Sequence, residues 1–416
     1  MDTIATLART TPVTRDRFVD LLRAASIAVV VLGHWLLAVV AFEGGVFTGQ
    51  NALAVVPWAQ WLTWGLQVMP LFFFAGGFGN FVAWRSRRDY GTFVRSRFRR
   101  LLGPTAVFAG VWLATVVAIR AAGVSTGFSA ELATLVAIPL WFLGVYLVVV
   151  LMAPALIRAH ERYGARVPLA LLAGAAVVDG ASRHFGAPVG PLNYALVWLV
   201  PHQLGFLLAD GSFDRAGRAA VAGLAAIGAG VVVTFAATGL YPVSMVGVPG
   251  AADSNNAPPT LALAMHGLWM VGLALLARPA VNRWLRRERP WRAVVAANTV
   301  VMTLFLWHMT ALVVGAVVLF PAGLPQPEPG SGAWWALRPA WMLALAAFLA
   351  VFVALFARLE VRSLRATRPR AASSRTTVAG ALLATGGMIG IAIGGLVPGV
   401  PMLALAVGVA TLRAAG

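Results

Sequence analysis

The chain has 416 residues, 60% of them hydrophobic and only 11% charged, with a mean hydropathy of +0.83. So little charge cannot cover a water-soluble chain of this length, which excludes a soluble enzyme and predicts an all-α, polytopic transmembrane helical bundle. The lack of cysteine excludes disulfides, thiolate catalysis and Cys-ligated metals, and the net charge of +18 lies in loops beside apolar runs, where it sets topology and meets anionic headgroups rather than nucleic acid.

The N-terminal 17 residues are polar and read as a cytoplasmic segment. Apolar runs then follow at 18–42, 58–84, 103–121, 137–157, 166–180, 192–209, 217–240, 259–277, 293–319 and 333–357, giving ten core spans over 18–357. The first run is too long, and too polar at Arg23 and His34, for a cleavable signal peptide. An arginine-rich connection, 358–375, leads to an additional C-terminal segment, 376–416. Its apolar stretch, broken by Pro398 and Pro401, is either one kinked helix or a tight hairpin.

All 32 Lys/Arg positions are arginine, and 28 of them fall in alternate connections: before the first span, then after the second, fourth, sixth, eighth and tenth. That alternation predicts a multi-pass protein with its N-terminus and all six arginine-rich segments in the cytoplasm. The arginine, alanine and valine bias fits a high-GC genome, and the expected location is the bacterial plasma membrane. The opposite loops, 241–258 and 321–332, are rich in Pro, Gly, Ser and Asn and read as ordered or semi-ordered loops.

Within the first run, Arg23 and His34 are eleven residues apart. Eleven helical steps of about 100° bring both side chains to one face, separated by about 16 Å along the axis. An intramembrane imidazole aligned with a cation is costly in lipid, and the default reading is function. A neutral buried imidazole suits a general base; the plainer reading is a packing histidine. Asp20, one turn before Arg23, can hold its guanidinium.

The Pro70–Phe78 stretch, with Phe73, Phe74, Gly76 and Gly77, reads as helix-breaking backbone in mid-membrane. Such backbone survives where it lines a cavity, so it is taken as a pocket wall. The run from Arg95 to Arg100 is the densest cation cluster, with Arg97 and Arg100 on one helix face and Arg95 and Arg99 on another. Guanidinium forks suit phosphate oxygens, while a topology signal with lipid contact is the plain alternative. His308 is a second mid-span histidine; His202 and His266 read as structural. Asp179, Arg183 and His184 form a polar cluster that faces an acceptor or caps its helix. The six histidines are scattered without ligand spacing, so no metal is expected.

Five motifs in order resemble the membrane-bound acyltransferase family 3, the acyl-CoA-dependent O-acyltransferases. They are Asp20–Arg23 with Gly33-His34-Trp35, the Pro70–Phe78 segment, Arg97–Pro104, Pro139–Leu143 with Trp141, and Leu306-Trp307-His308. The resemblance covers residues 17–357 and looks like a stand-alone core without a fused esterase-like domain. Two positions depart from the family pattern: Gly76 stands where a Ser is usual, and Phe305-Leu306 replace the Tyr before the late histidine.

The resemblance implies transfer of a short acyl group, acetyl by preference, from cytoplasmic acyl-CoA to a hydroxyl of a glycan or small-molecule natural product. It implies His34, Arg23 and His308 as catalytic residues, with His34 acting as general base or as a covalent acyl relay. Arg97, Arg99 and Arg100 would hold the phosphates of acyl-CoA, and Phe73, Phe74, Gly76, Gly77 and Trp141 would line the pocket. Acyl-CoA is then a co-substrate and no tightly bound cofactor is expected; the partners are the acceptor and membrane lipid. The rival from another class is a proton-coupled transporter using His34 and His308 as a relay.

Overall fold

The computed structural model describes residues 3–12, 15–365 and 374–414. Ten helices are long and apolar enough to cross a membrane, and strands are confined to one hairpin among the described residues. The chain is an all-α polytopic bundle. Its described residues form two compact units that interleave in sequence. One takes the residues up to Val82, Ala155–Asn298 and Gly323–Ala340; the other takes Ala83–Pro154, Thr299–Ala322 and the residues from Trp341 onward.

In the first unit, the Arg17–Leu37 helix starts on Asp16, whose Oδ1 accepts the Val19 amide at 3.2 Å. It ends earlier than the apolar run 18–42 implies. Residues Ala38–Glu43 form a strand that pairs antiparallel with Val46–Asn51, Phe42 opposite Phe47. The turn is Gly44-Gly45, both at positive φ, the geometry a two-residue hairpin loop demands. Gln326 docks on this hairpin edge: its Oε1 accepts the Phe42 amide at 2.6 Å and its Nε2 donates to the Phe42 carbonyl at 3.2 Å.

The second run also differs from expectation. Its backbone is irregular before Met69, passing through the 3-10 turn Pro57–Leu62 and the short helix Thr63–Leu66. From Met69 to Arg87 it is one continuous helix, with Pro70 in the first turn, where a missing N–H costs nothing. Gly76 and Gly77 therefore do not break the helix. Gly77 instead meets the Asn193–Ala209 helix so closely that a Cβ there would lie 1.9 Å from the His202 carbonyl oxygen. Gly205 on that helix is equally tight against the Phe74 oxygen, at 2.2 Å. Small residues admit such backbone contact between membrane helices.

The Arg166–Phe185 helix has 20 residues but is not among the ten apolar spans, because Asp179, Arg183 and His184 make its last third polar. The loop after Ala237 is ordered and clasped from that helix. Asp179 Oδ2 accepts the Tyr241 hydroxyl at 2.6 Å and the Leu261 amide at 2.9 Å. Arg183 donates twice to Asp253, at 2.8 and 2.6 Å, with its guanidinium 4.4 Å from the Tyr241 ring centre. Burial, then the bond to Asp179, pushes the Tyr241 phenol above its ordinary value.

In the second unit, Asp89 caps the Tyr90–Ala121 helix through the Thr92 amide at 2.6 Å, so this helix begins well before the apolar run and carries the whole arginine cluster. The apolar run 293–319 divides at Val300 into Glu288–Thr299 and Val301–Leu319. The C-terminal segment is a hairpin: Ser374–Gly394 and Val400–Ala414 pack together, with a Cβ on Gly387 only 2.5 Å from the Leu405 amide nitrogen. Of the arginine-rich connection, residues through Arg365 continue the preceding helix, and 366–373 lie outside the described residues.

Candidate functional site

The expected site residues divide between the units. Arg23, His34, Phe73, Phe74, Gly76 and Gly77 belong to the first; Arg97, Arg99, Arg100, Trp141 and His308 belong to the second.

Arg23 and His34 share one uninterrupted helix, so the helical geometry that aligns them holds. The early end of that helix moves His34 from mid-span to the last turn, where its carbonyl accepts the Ala38 amide. The ring is half-buried, and Gly33 beside it keeps the helix open toward Leu66. The other end is anchored. Buried Asp20 takes both Arg15 and Arg23, the latter at 3.8 Å, and its carbonyl accepts Asn298 Nδ2 at 2.9 Å. Arg17 donates to the Leu285 carbonyl at 2.7 Å and lies 4.7 Å from the Trp291 ring centre. Arg23 is thus held by a carboxylate, one turn from a fixed helix start.

Phe73 and Phe74 are fully buried, Phe73 stacked on Trp198 at 4.8 Å. Phe73, Phe74 and Gly77 meet the Asn193–Ala209 helix at a tight crossing, and Gly76 is buried. The irregular backbone expected at these residues lies upstream, at Gln67-Val68.

His308 lies near the middle of the Val301–Leu319 helix and is completely buried. Its Nδ1 lies 2.6 Å from the Phe305 carbonyl. A carbonyl only accepts, so Nδ1 carries a proton and donates it there. The helix is braced around it. Trp307 stacks on Phe352 and Phe356 at 5.1 and 4.1 Å, Trp112 donates to Thr310 at 3.0 Å, and Phe305 meets Phe142 edge-on at 5.6 Å. That last contact joins the segments of Trp141 and His308. Trp141 itself is half-buried, its ring 6.3 Å from that of Phe142.

The arginine cluster fans out around its helix. Arg95 is fully buried, Arg97 is half-buried with its guanidinium 5.9 Å from the Phe93 ring centre, and Arg100 is exposed. Arg99 lines a small cleft of about 230 Å³ with Leu412 and Arg413 of the C-terminal helix. Glu360, buried near Arg100, is raised by desolvation against the pull of Thr303, Met302 and Arg100.

One buried pair escapes sequence reasoning. His160 and Asp210 meet at 3.0 Å, Nε2 to Oδ2, 50 residues apart in the chain. Burial pushes the Asp210 carboxyl up, but hydrogen bonds from Ser212 and His160 outweigh it and hold the carboxyl below its ordinary value. No local spacing announces this pair. His202 and His266 are buried and bonded, to Asn80 at 3.1 Å and to the Trp64 carbonyl at 2.8 Å.

An imidazole on a membrane helix can take up or pass on a proton. The chain matches the sequence model of the acyltransferase 3 family, an acyltransferase domain, over residues 16–358, and it belongs to that family. It is therefore an integral membrane acyltransferase. No curated protein and no solved structure matches it.

Proposed function

We propose that the protein moves a short acyl group, acetyl by preference, from cytoplasmic acyl-CoA to a hydroxyl of a glycan or natural product at a bacterial plasma membrane. The observation that carries this reading is the family match over residues 16–358, which contains every residue given a role here. The acceptor oxygen attacks the thioester carbonyl, and its proton passes to the His34 imidazole. The C–S bond then breaks, and the CoA thiolate takes up a proton. In the relay form, His34 accepts the acyl group first and the hydroxyl then removes it. Arg23 orients that helix face, His308 supplies a second imidazole, and Arg97, Arg99 and Arg100 suit the donor's phosphates.

The test is label transfer from radiolabelled acetyl-CoA by purified protein in nanodiscs, with cell extract as acceptor source. Label should leave CoA with wild type and stay with His34→Ala, which still inserts. Transfer by His34→Ala at the wild-type rate overturns the role of His34. No transfer by wild type with any short acyl-CoA overturns the donor.

A further inference from the structure

Helices Ser212–Ala237 and Leu261–Trp284 of the first unit pack in backbone contact, a Cβ on Gly228 lying 2.6 Å from the Trp269 amide nitrogen. Toward their arginine-bearing ends they part. The first helix kinks at Gly217, and a cleft of about 680 Å³ opens between its initial turns and the last turns of its neighbour. None of the residues given a role in acyl transfer lines it.

The wall of this cleft is cationic. Arg218, Arg278, Arg283 and Arg286 line it against one carboxylate, Asp214. Arg278 is engaged on its terminal nitrogens, with Asp214 at 3.1 Å and Asp16 at 3.3 Å, but its Nε is buried with no hydrogen-bond partner. The side chains of Arg218, Arg283 and Arg286 form no ion pair or hydrogen bond among the described residues. The floor is apolar, with Val221 and Leu275 buried.

Guanidiniums gathered round one concavity repel one another and raise the local concentration of anions. Their forked donors match phosphate oxygens in geometry. The volume is that of a small-molecule site, and the apolar floor gives a non-phosphate portion somewhere to lie.

We infer that this cleft binds a phosphate-bearing ligand, with the phosphate held by Arg218, Arg283 and Arg286 and the rest of the ligand on Val221 and Leu275. An anionic phospholipid headgroup and a soluble nucleotide offer the same chemistry, and arginine-rich helix ends at the membrane interface face both. The inference does not depend on acyl transfer.

The experiment uses the full chain in nanodiscs with two probes. ADP binding is measured in phosphatidylcholine discs by thermophoresis. Retained phosphatidylglycerol is measured from mixed discs by native mass spectrometry. The variant is Arg218→Gln/Arg283→Gln/Arg286→Gln; the control is Arg287→Gln/Arg289→Gln, exposed positions that do not line the cleft. We expect the triple variant to lose about tenfold in affinity per guanidinium for one of the probes, the size of one charge-assisted bond. The control should keep wild-type affinity. Loss for ADP identifies a soluble phosphate ester; loss for phosphatidylglycerol alone identifies lipid. Wild-type binding of both probes by the triple variant, no binding of either by wild type, or an equal loss in the control overturns the site.

Discussion

Glu360 holds the start of the His308 helix through Thr303. Its Oε2 accepts the Thr303 hydroxyl at 2.6 Å and the Thr303 amide at 2.8 Å, while Oε1 accepts the Met302 amide at 3.0 Å. Helix starts leave amide groups without intrahelical partners, and a carboxylate there also faces the positive end of the helix dipole. This one arrives from 57 residues away in the chain. Glu360→Ala strands three donors, the two of Thr303 buried, and should cost about 1–3 kcal/mol. Glu360→Gln keeps one acceptor and should cost less. Thermal unfolding of the variants in nanodiscs checks the order, and equal stability of Glu360→Ala and wild type would remove Glu360 as the anchor.

The crossing of Gly77 and Gly205 predicts a sharper effect. A methyl group on Gly77 would sit 1.9 Å from a backbone oxygen, which no side-chain rotation can relieve. Gly77→Ala should therefore force the helices apart, at the upper end of the about 1–3 kcal/mol typical of overpacking or beyond. Gly180→Ala, on the Arg166–Phe185 helix, has open space around the added carbon and should be neutral. The yield of monodisperse protein after detergent extraction separates the two. A normal yield for Gly77→Ala would mean that the crossing is looser than its geometry.

Two carboxyls outside the membrane spans give a signed pH dependence. Asp89, bonded to Thr92 and near Arg95, and Asp210, bonded to Ser212 and His160, are both held below the ordinary carboxylate value. A depressed value means that the folded state binds the proton less readily than the unfolded chain. Their stabilisation is therefore present in full above the ordinary value and is lost as pH falls through the depressed one. Asp89→Asn/Asp210→Asn should flatten the acid limb of the unfolding profile and leave the neutral region lower but parallel. An acid limb as steep as wild type would place the acid lability elsewhere.

Long helices are legible in the sequence because apolar length is a local property, and the alignment of Arg23 with His34 follows from spacing alone. What is lost is whatever depends on where a helix stops. Residues 38–42 are apolar enough to extend the first helix on paper, yet Gly44-Gly45 between β-branched and aromatic stretches is a hairpin signal that outweighs them. That stop decides the depth of His34. Pro70 similarly reads as a helix breaker until its place in the first turn is known, and Gly76-Gly77 read as flexible until the neighbouring helix is seen. The Asp179–Arg183 spacing allows an i, i+4 pair, but the structure spends both side chains on the loop beyond Ala237. Partners such as His160 and Asp210 lie too far apart in the chain for any periodicity to connect them.

The C-terminal hairpin lies wholly past residue 358, where the family match stops. Within the second unit it is held by near-backbone contacts, Gly144 against Ile389 and Gly395 against Thr134, and it closes a cleft beside Phe98 and Leu102. In many membrane assemblies that flank would be covered by another subunit or by annular lipid. Here the same polypeptide supplies the cover, so each copy of the core carries its own hairpin at a fixed one-to-one ratio.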